Sequence, residues 1–187
     1  MKNYLQSFNI LSNEDIDVFN SKLTRKMLKK GDYFIKEGSV SKEVAFVESG
    51  LFRYFYYSSS EEELTYCFTF PNSFVSAYSS FLTQTKTGEN IQALSDIELL
   101  TISRDEILKL EQSSASWVQF FKFIAEQEYI KMEKRIFLLQ KESPEKRYED
   151  LLTNQPSYLQ LIPLNYLASY LGITMHHLIR IRKPISN

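Results

Sequence analysis

Two runs of aromatic and β-favouring residues, Leu51 to Tyr57 and Leu64 to Phe70, flank the polar hexamer Ser58-Ser59-Ser60-Glu61-Glu62-Glu63. Side chains of this kind suit a pleated, half-buried surface, and a short polar link between two such runs closes a hairpin with a solvated tip. That hairpin commits the first part of the chain to a sheet. Around it, Met27, Leu28, Tyr33, Phe34 and Ile35 are punctuated by Gly31 and Gly38, and Val44 to Val47 precedes Gly50, as expected of short strands between tight turns. Pro71-Asn72 ends the second run of the hairpin. Phe74 to Leu82 fits helix and strand equally, Thr83 to Gly88 reads as loop, and Ile91 to Ile102 closes the strand series. Ahead of the strands, Tyr4 to Leu23 reads as a short helical entry in which Ser12 and Asp15 form a start signal.

After Ser103 the period changes to that of a helix, with Asp105 and Glu106 placed to complement its dipole. Beyond a break at Ser113-Ser114, the residues Trp117, Phe120, Phe121, Ile124, Tyr129, Met132, Ile136, Phe137 and Leu139 keep helical spacing as far as Gln140. A small β domain cannot cover so long an aromatic face. A second copy of the chain would cover it, with Trp117, Phe121, Ile124 and Met132 at the interface of a homodimer. Packing on its own domain alone is the other solution.

A boundary falls at Lys141 to Pro144, and Glu145 to Leu152 forms the next helix, ending around Asn154 to Pro156. Pro163 then opens a helix whose inner face is Leu164, Leu167, Ala168 and Leu171. Gly172 supplies a left-handed turn, and Thr174 caps a second helix with Leu178, Ile181 and Ile185 turned inward. Small Ala168 and a sharp glycine turn suit a DNA-binding helix-turn-helix, whose second helix carries His176, Arg180 and Lys183 outward. An ordinary helical hairpin with solvated basic residues is the alternative.

Composition narrows the function classes. The 187 residues are 43% hydrophobic, enough for a real core, and no apolar run approaches the roughly 18 residues that span a bilayer. The first residues lack the apolar stretch of a leader, so a soluble cytoplasmic protein with no membrane partner is expected. Cys67 is the only cysteine, which rules out an internal disulfide or a four-cysteine iron–sulfur site. His176 and His177 are neighbours that point apart on a helix, a poor metal pair, and no metal or cofactor is expected. The net charge is −1, yet all the acids lie at or before Asp150, and beyond Gln155 only Arg180, Arg182 and Lys183 are charged. Such asymmetry favours a polyanion at the C-terminal end. No glycine-rich phosphate loop and no Ser/His/Asp order occurs, and Glu61 and Glu63 sit in a hairpin tip with nothing to shift them, so the chain does not read as an enzyme.

Lys30-Gly31-Asp32-Tyr33-Phe34-Ile35-Lys36-Glu37-Gly38 and Phe46-Val47-Glu48-Ser49-Gly50-Leu51-Phe52-Arg53, followed by Ile162-Pro163-Leu164, Leu167-Ala168-Ser169-Tyr170-Leu171-Gly172-Ile173-Thr174 and Arg180-Ile181-Arg182, together resemble the bacterial Crp/Fnr family of transcription regulators, in particular its short Bacteroidetes-type members. The resemblance implies an α+β chain: a cyclic-nucleotide-binding-like β-roll sensor over residues 1–112, a long dimerisation helix over 113–141, and an all-α helix-turn-helix domain over 142–187. It implies a homodimer on double-stranded DNA, with an effector state in the roll setting the pose of two reading helices.

The chain departs from the family at both ends of that device. Where cyclic-nucleotide binders carry a Gly-Glu pair and an Arg-Ser pair, this sequence aligns Ser76-Ala77 and Thr87-Gly88. A buried phosphate needs a partner for its charge, so cAMP bound by the usual contacts is not expected. The pocket for another small-molecule effector would be lined by Phe74, Ser76, Ala77, Tyr78, Lys86, Thr87, Gly88 and Gln92. On the DNA side the expected contacts are Thr174, Met175, His176, Arg180 and Lys183, with Arg180 where the family places a base-reading arginine. Pro184 is expected to stop the second helix, with no β-hairpin wing after it. A ligand-sensing or protein-interaction module with a degenerate helix pair is the alternative function.

Overall fold

The structure, a computed structural model, describes residues 1–183; the expected stop at Pro184 and the inward Ile185 lie outside the described residues. The chain forms two compact units, one of residues 1–56 and 67–125, the other of residues 57–66 and 126 onward.

The first unit opens with α1 (Lys2–Gln6) and α2 (Asn13–Ser21). The Ser12 hydroxyl accepts from the Asp15 N–H at 3.0 Å while the Asp15 carboxylate accepts from the Ser12 N–H at 3.1 Å, a reciprocal cap that starts α2 where the sequence indicates. Strands β1 (Thr24–Leu28), β2 (Tyr33–Ile35), β3 (Glu43–Ser49), β4 (Phe52–Tyr57), β5 (Glu63–Thr69), β6 (Ser73–Val75), β7 (Asn90–Ala93) and β8 (Ile97–Ser103) form two four-stranded sheets, in the orders β1-β8-β3-β6 and β2-β7-β4-β5. The β1/β8, β3/β8, β3/β6, β2/β7 and β4/β7 pairs are antiparallel.

The stretch from Ile91 to Ile102 is two strands in different sheets rather than one. The corner between them is fixed from outside: the Asp96 carboxylate accepts from the Lys30 N–H at 3.0 Å and from Lys29 Nζ at 2.8 Å, and the Leu94 N–H donates to the Leu51 carbonyl at 2.7 Å. Gly50, with φ +94°, lies against this corner so closely that a Cβ would run into the Asp96 carbonyl.

Helix α3 (Tyr78–Thr83) follows β6, which resolves the segment left open between helix and strand. Then α4 (Arg104–Ser113) starts at Ser103, whose hydroxyl accepts from the Glu106 N–H, and ends at Ser114 in extended backbone. Helix α5 (Ala115–Lys141) is continuous through both units. Its first turns complete a helical core: Leu5, Leu11, Ile16, Phe19, Phe81, Ile102, Ile107, Leu110, Trp117 and Phe120 pack together. Trp117 stacks on Phe19 with centroids 5.3 Å apart and meets Phe120 edge-on at 6.2 Å.

The second unit contains the hairpin tip, the later turns of α5, and α6 (Pro144–Asn154), α7 (Pro156–Leu161), α8 (Leu164–Leu171) and α9 (Met175–Arg182). Ser143 caps α6 ahead of Pro144, as the sequence indicates. Helix α7 begins at Pro156, which suits a first helical position, in a segment the sequence reading leaves unassigned. Among the described residues no helix is long and apolar enough to cross a membrane.

Candidate effector pocket and nucleic-acid interface

In the first unit, β6, α3 and the loop to β7 carry most of the residues expected around an effector, and the polar groups of Ser76 and Thr87 are occupied by the chain itself. Ala77 is fully buried at the start of α3. Ser76 Oγ donates to the Glu43 carbonyl at 3.3 Å and lies 3.4 Å from Ser41 Oγ. Ser80 Oγ accepts from the Ser41 N–H at 3.0 Å and donates to the Thr85 carbonyl at 2.5 Å, while Gln84 Nε2 donates to the carbonyls of Ser41 and Phe81. Thr87 is buried: its N–H donates to the Ser39 carbonyl, its carbonyl accepts from the Gly38 N–H, and its Oγ1 accepts from the Glu89 N–H at 3.2 Å.

The remaining expected lining residues scatter. Phe74 joins an aromatic cluster with Phe46, Tyr4 and Phe120. Tyr78 is half-exposed, stacked on Phe81, and burial followed by the charge of Glu111 raises its pKa. Lys86 and Gly88 are exposed. Gln92 pairs with Arg53, on the opposite sheet face from buried Ile91 and Ala93, and donates to the Gly31 carbonyl at 3.1 Å.

Four buried or half-buried polar groups in this unit were not singled out by the sequence. Arg53 is 1% exposed, with its guanidinium 4.3 Å from the centre of the Phe55 ring. Burial pushes the Glu89 carboxyl up to about 7 and holds the Tyr54 phenol above its ordinary range, with Thr69 Oγ1 donating to the Tyr54 hydroxyl at 3.3 Å. Asn90 accepts from the Glu37 N–H through Oδ1, while its Nδ2 is buried without a hydrogen-bond partner among the described residues. For Arg53 and Tyr54 the signal that could have marked them is a polar residue at an inward position in an aromatic run.

In the second unit, Gly172 adopts φ +67° and ψ +36°, so α8 ends in a left-handed residue, and the Ile173 N–H closes the turn on the Ala168 carbonyl at 3.0 Å. Leu167, Ala168, Leu171 and Leu178 are buried between the two helices and their support. Thr174 Oγ1 accepts from the His177 N–H at 3.2 Å and caps α9. Met175 is half-exposed, and His176, Arg180 and Lys183 are exposed. At about 100° per residue, spacings of four and three hold those three within roughly 60° of one another on one face. His177 points elsewhere: its Nε2 lies 3.4 Å from Glu145 Oε1. The Glu145 backbone N–H, the Ser143 hydroxyl and His177 hold that carboxyl below its ordinary value.

Two arginines brace this helix pair. Arg135 of α5 donates from Nη2 to the Tyr170 carbonyl at 2.6 Å and lies over the Tyr170 ring at 3.6 Å. Arg147 of α6 donates to the Leu139 carbonyl at 3.4 Å, with its guanidinium beside the Gly172 turn. No pattern in the sequence links residues so far apart.

Of the residues expected at a dimer interface, Trp117 is only 1% exposed within its own chain, and Phe121 and Ile124 pack against the same core. Met132 is 41% exposed, on a face shared with Tyr129 at 68% and Ile136 at 48%. The first turns of α5 thus serve the core of the first unit, and an uncovered apolar face begins further along. Among the described residues no group of three His, Cys, Asp or Glu side chains could hold a metal ion.

The family model for the cyclic nucleotide-binding domain matches residues 25–114, which hold the two glycine-punctuated sheets and the short helix after them. Over most of its length the chain shares its fold with solved structures of Crp/Fnr-type regulators. It is similar to FixK2 from Bradyrhizobium japonicum (16% identity, 85% of this chain and 82% of that chain, TM-score 0.75). It is also similar to a chain from Eubacterium rectale assigned as a transcriptional regulator of the crp/fnr family (18% identity, 96% and 85%, TM-score 0.71). A third is the c-di-GMP responsive global regulator CLP of Xanthomonas campestris (17% identity, 91% and 89%, TM-score 0.71). No curated protein matches the sequence.

Proposed function

We propose that this chain is a DNA-binding transcription regulator that works as a homodimer, with α8 and α9 as a helix-turn-helix and α9 as its reading helix. One observation carries the reading: Thr174, Gly172 and the buried Ala168 produce a capped, tightly turned helix pair whose free face presents His176, Arg180 and Lys183 together. Arginine forks onto a guanine edge and lysine neutralises phosphate, so this face suits a duplex.

The roll is a sensor for an effector other than a cyclic nucleotide held by the usual contacts. Supporting this, the hydroxyls of Ser76, Ser80 and Thr87 engage the chain itself, and the only cation in the loop is the exposed Lys86. A cyclic phosphate would find no charged partner there. Thermal shift with cAMP and cGMP is expected to leave the melting midpoint unmoved, since only a bound ligand raises it.

The decisive experiment is an anisotropy titration with genomic fragments. Affinity should fall as salt rises, and Arg180→Ala should weaken binding by about 1–3 kcal/mol if it reads a base. Wild-type protein that ignores all DNA at low salt would overturn the proposal in favour of an interaction module, to which the half-exposed Met175 at the head of α9 is better suited.

A further inference from the structure

The hairpin tip belongs to the second unit, and the reason lies in one hydroxyl. Strand β5 is at the edge of its sheet. Within the tip the Ser58 N–H donates to the Glu62 carbonyl at 2.9 Å, so residue 62 and its even-numbered neighbours face β4, while 63 and 65 present their backbone groups to the open side. An exposed row of this kind invites pairing. Here it is met by Ser169 of α8, whose Oγ accepts from the Thr65 N–H at 2.8 Å and donates to the Glu63 carbonyl at 3.2 Å. In a parallel ladder, one residue of the added strand engages the carbonyl before and the amide after the residue it faces. The Ser169 hydroxyl makes that pair of bonds from a helix. The next residue, Tyr170, is held on another side by Arg135 of α5.

We infer that Ser169 is a latch that fastens the α8–α9 pair to the outer edge of β5, so that the hairpin tip and the helix pair move as one piece. The stems of β4 and β5 run on into the sheet that contains β7, so the hairpin is a direct covalent route from the roll to the latch. A displacement of the hairpin is delivered to α8 through two hydrogen bonds, and from α8 through the rigid glycine turn to α9. The consequence for DNA rests on the function proposed above; the latch itself does not.

Amide hydrogen exchange by NMR on the full chain without DNA tests it. The Thr65 amide should be protected in the wild type. Ser169→Ala should speed its exchange roughly tenfold, the loss expected for one half-buried hydrogen bond. Ser169→Thr, which keeps the hydroxyl, should restore protection. Unchanged protection in Ser169→Ala, or a Ser169→Thr variant as open as the alanine, overturns the latch. A second variant reads the bond from the other side: Thr65→Pro removes the donor at an edge position whose N–H points off the sheet, where proline is tolerated. It should accelerate exchange from Leu167 to Leu178, and wild-type protection there also overturns the latch. Because no DNA is present, failure of the DNA titration and failure of the latch are separate results.

Discussion

Single residues in this chain hold chemistry that the sheet pattern alone would not predict, and Glu89 is the clearest case. Burial raises its carboxyl from 4.5 to about 7, so between those values the folded chain keeps a proton that the unfolded chain has released. Stability falls with rising pH wherever the folded state binds the extra proton. Urea midpoints should therefore drop from pH 5 to pH 7.5 in the wild type, and Glu89→Gln should flatten that slope. Parallel slopes for the two proteins would show that Glu89 is not the group responsible.

At the scale of elements, what was legible in the sequence was local. Ser12, Ser103, Ser143 and Thr174 each cap the helix they precede, because a cap needs only an oxygen within reach of an amide three residues on. The hairpin and the glycine turn between α8 and α9 were legible for the same reason. The division of residues 90–103 between two sheets was not, since it depends on Asp96 meeting Lys29 and Lys30 and on Gly50 lying against the corner. Nor was the latch, whose partners are 104 and 106 residues apart. The two special glycines should answer substitution differently. Gly50→Ala adds a Cβ into fixed backbone at φ +94° and should cost at least about 2 kcal/mol. Gly172→Ala, at φ +67°, meets only the end of Arg147 and a Leu139 methyl, and should cost about 1 kcal/mol. Chemical denaturation would measure both, and equal losses would mean that strain, not collision, governs Gly50.

For the whole molecule, α5 carries the proposed contact between two copies of the chain. Its early apolar residues are engaged at home, while Tyr129, Met132 and Ile136 stand within about 60° of one another and remain uncovered. A second copy of the same helix is the proposed cover. Met132→Glu with Ile136→Glu should leave a folded monomer by sedimentation and lower DNA affinity steeply, because each copy would then hold only half a site. A double variant that still sediments as a dimer would move the interface elsewhere. The location of Trp117 has a practical corollary for anyone following these changes by spectroscopy. It is the only indole in the chain, and it lies stacked on Phe19 deep in the first unit. Its emission will be blue-shifted and will report the melting of that unit alone. Loss of the later helices would pass unseen by fluorescence while removing a substantial share of the far-ultraviolet dichroism, so agreement between the two signals is itself a measure of whether the halves of this protein unfold together.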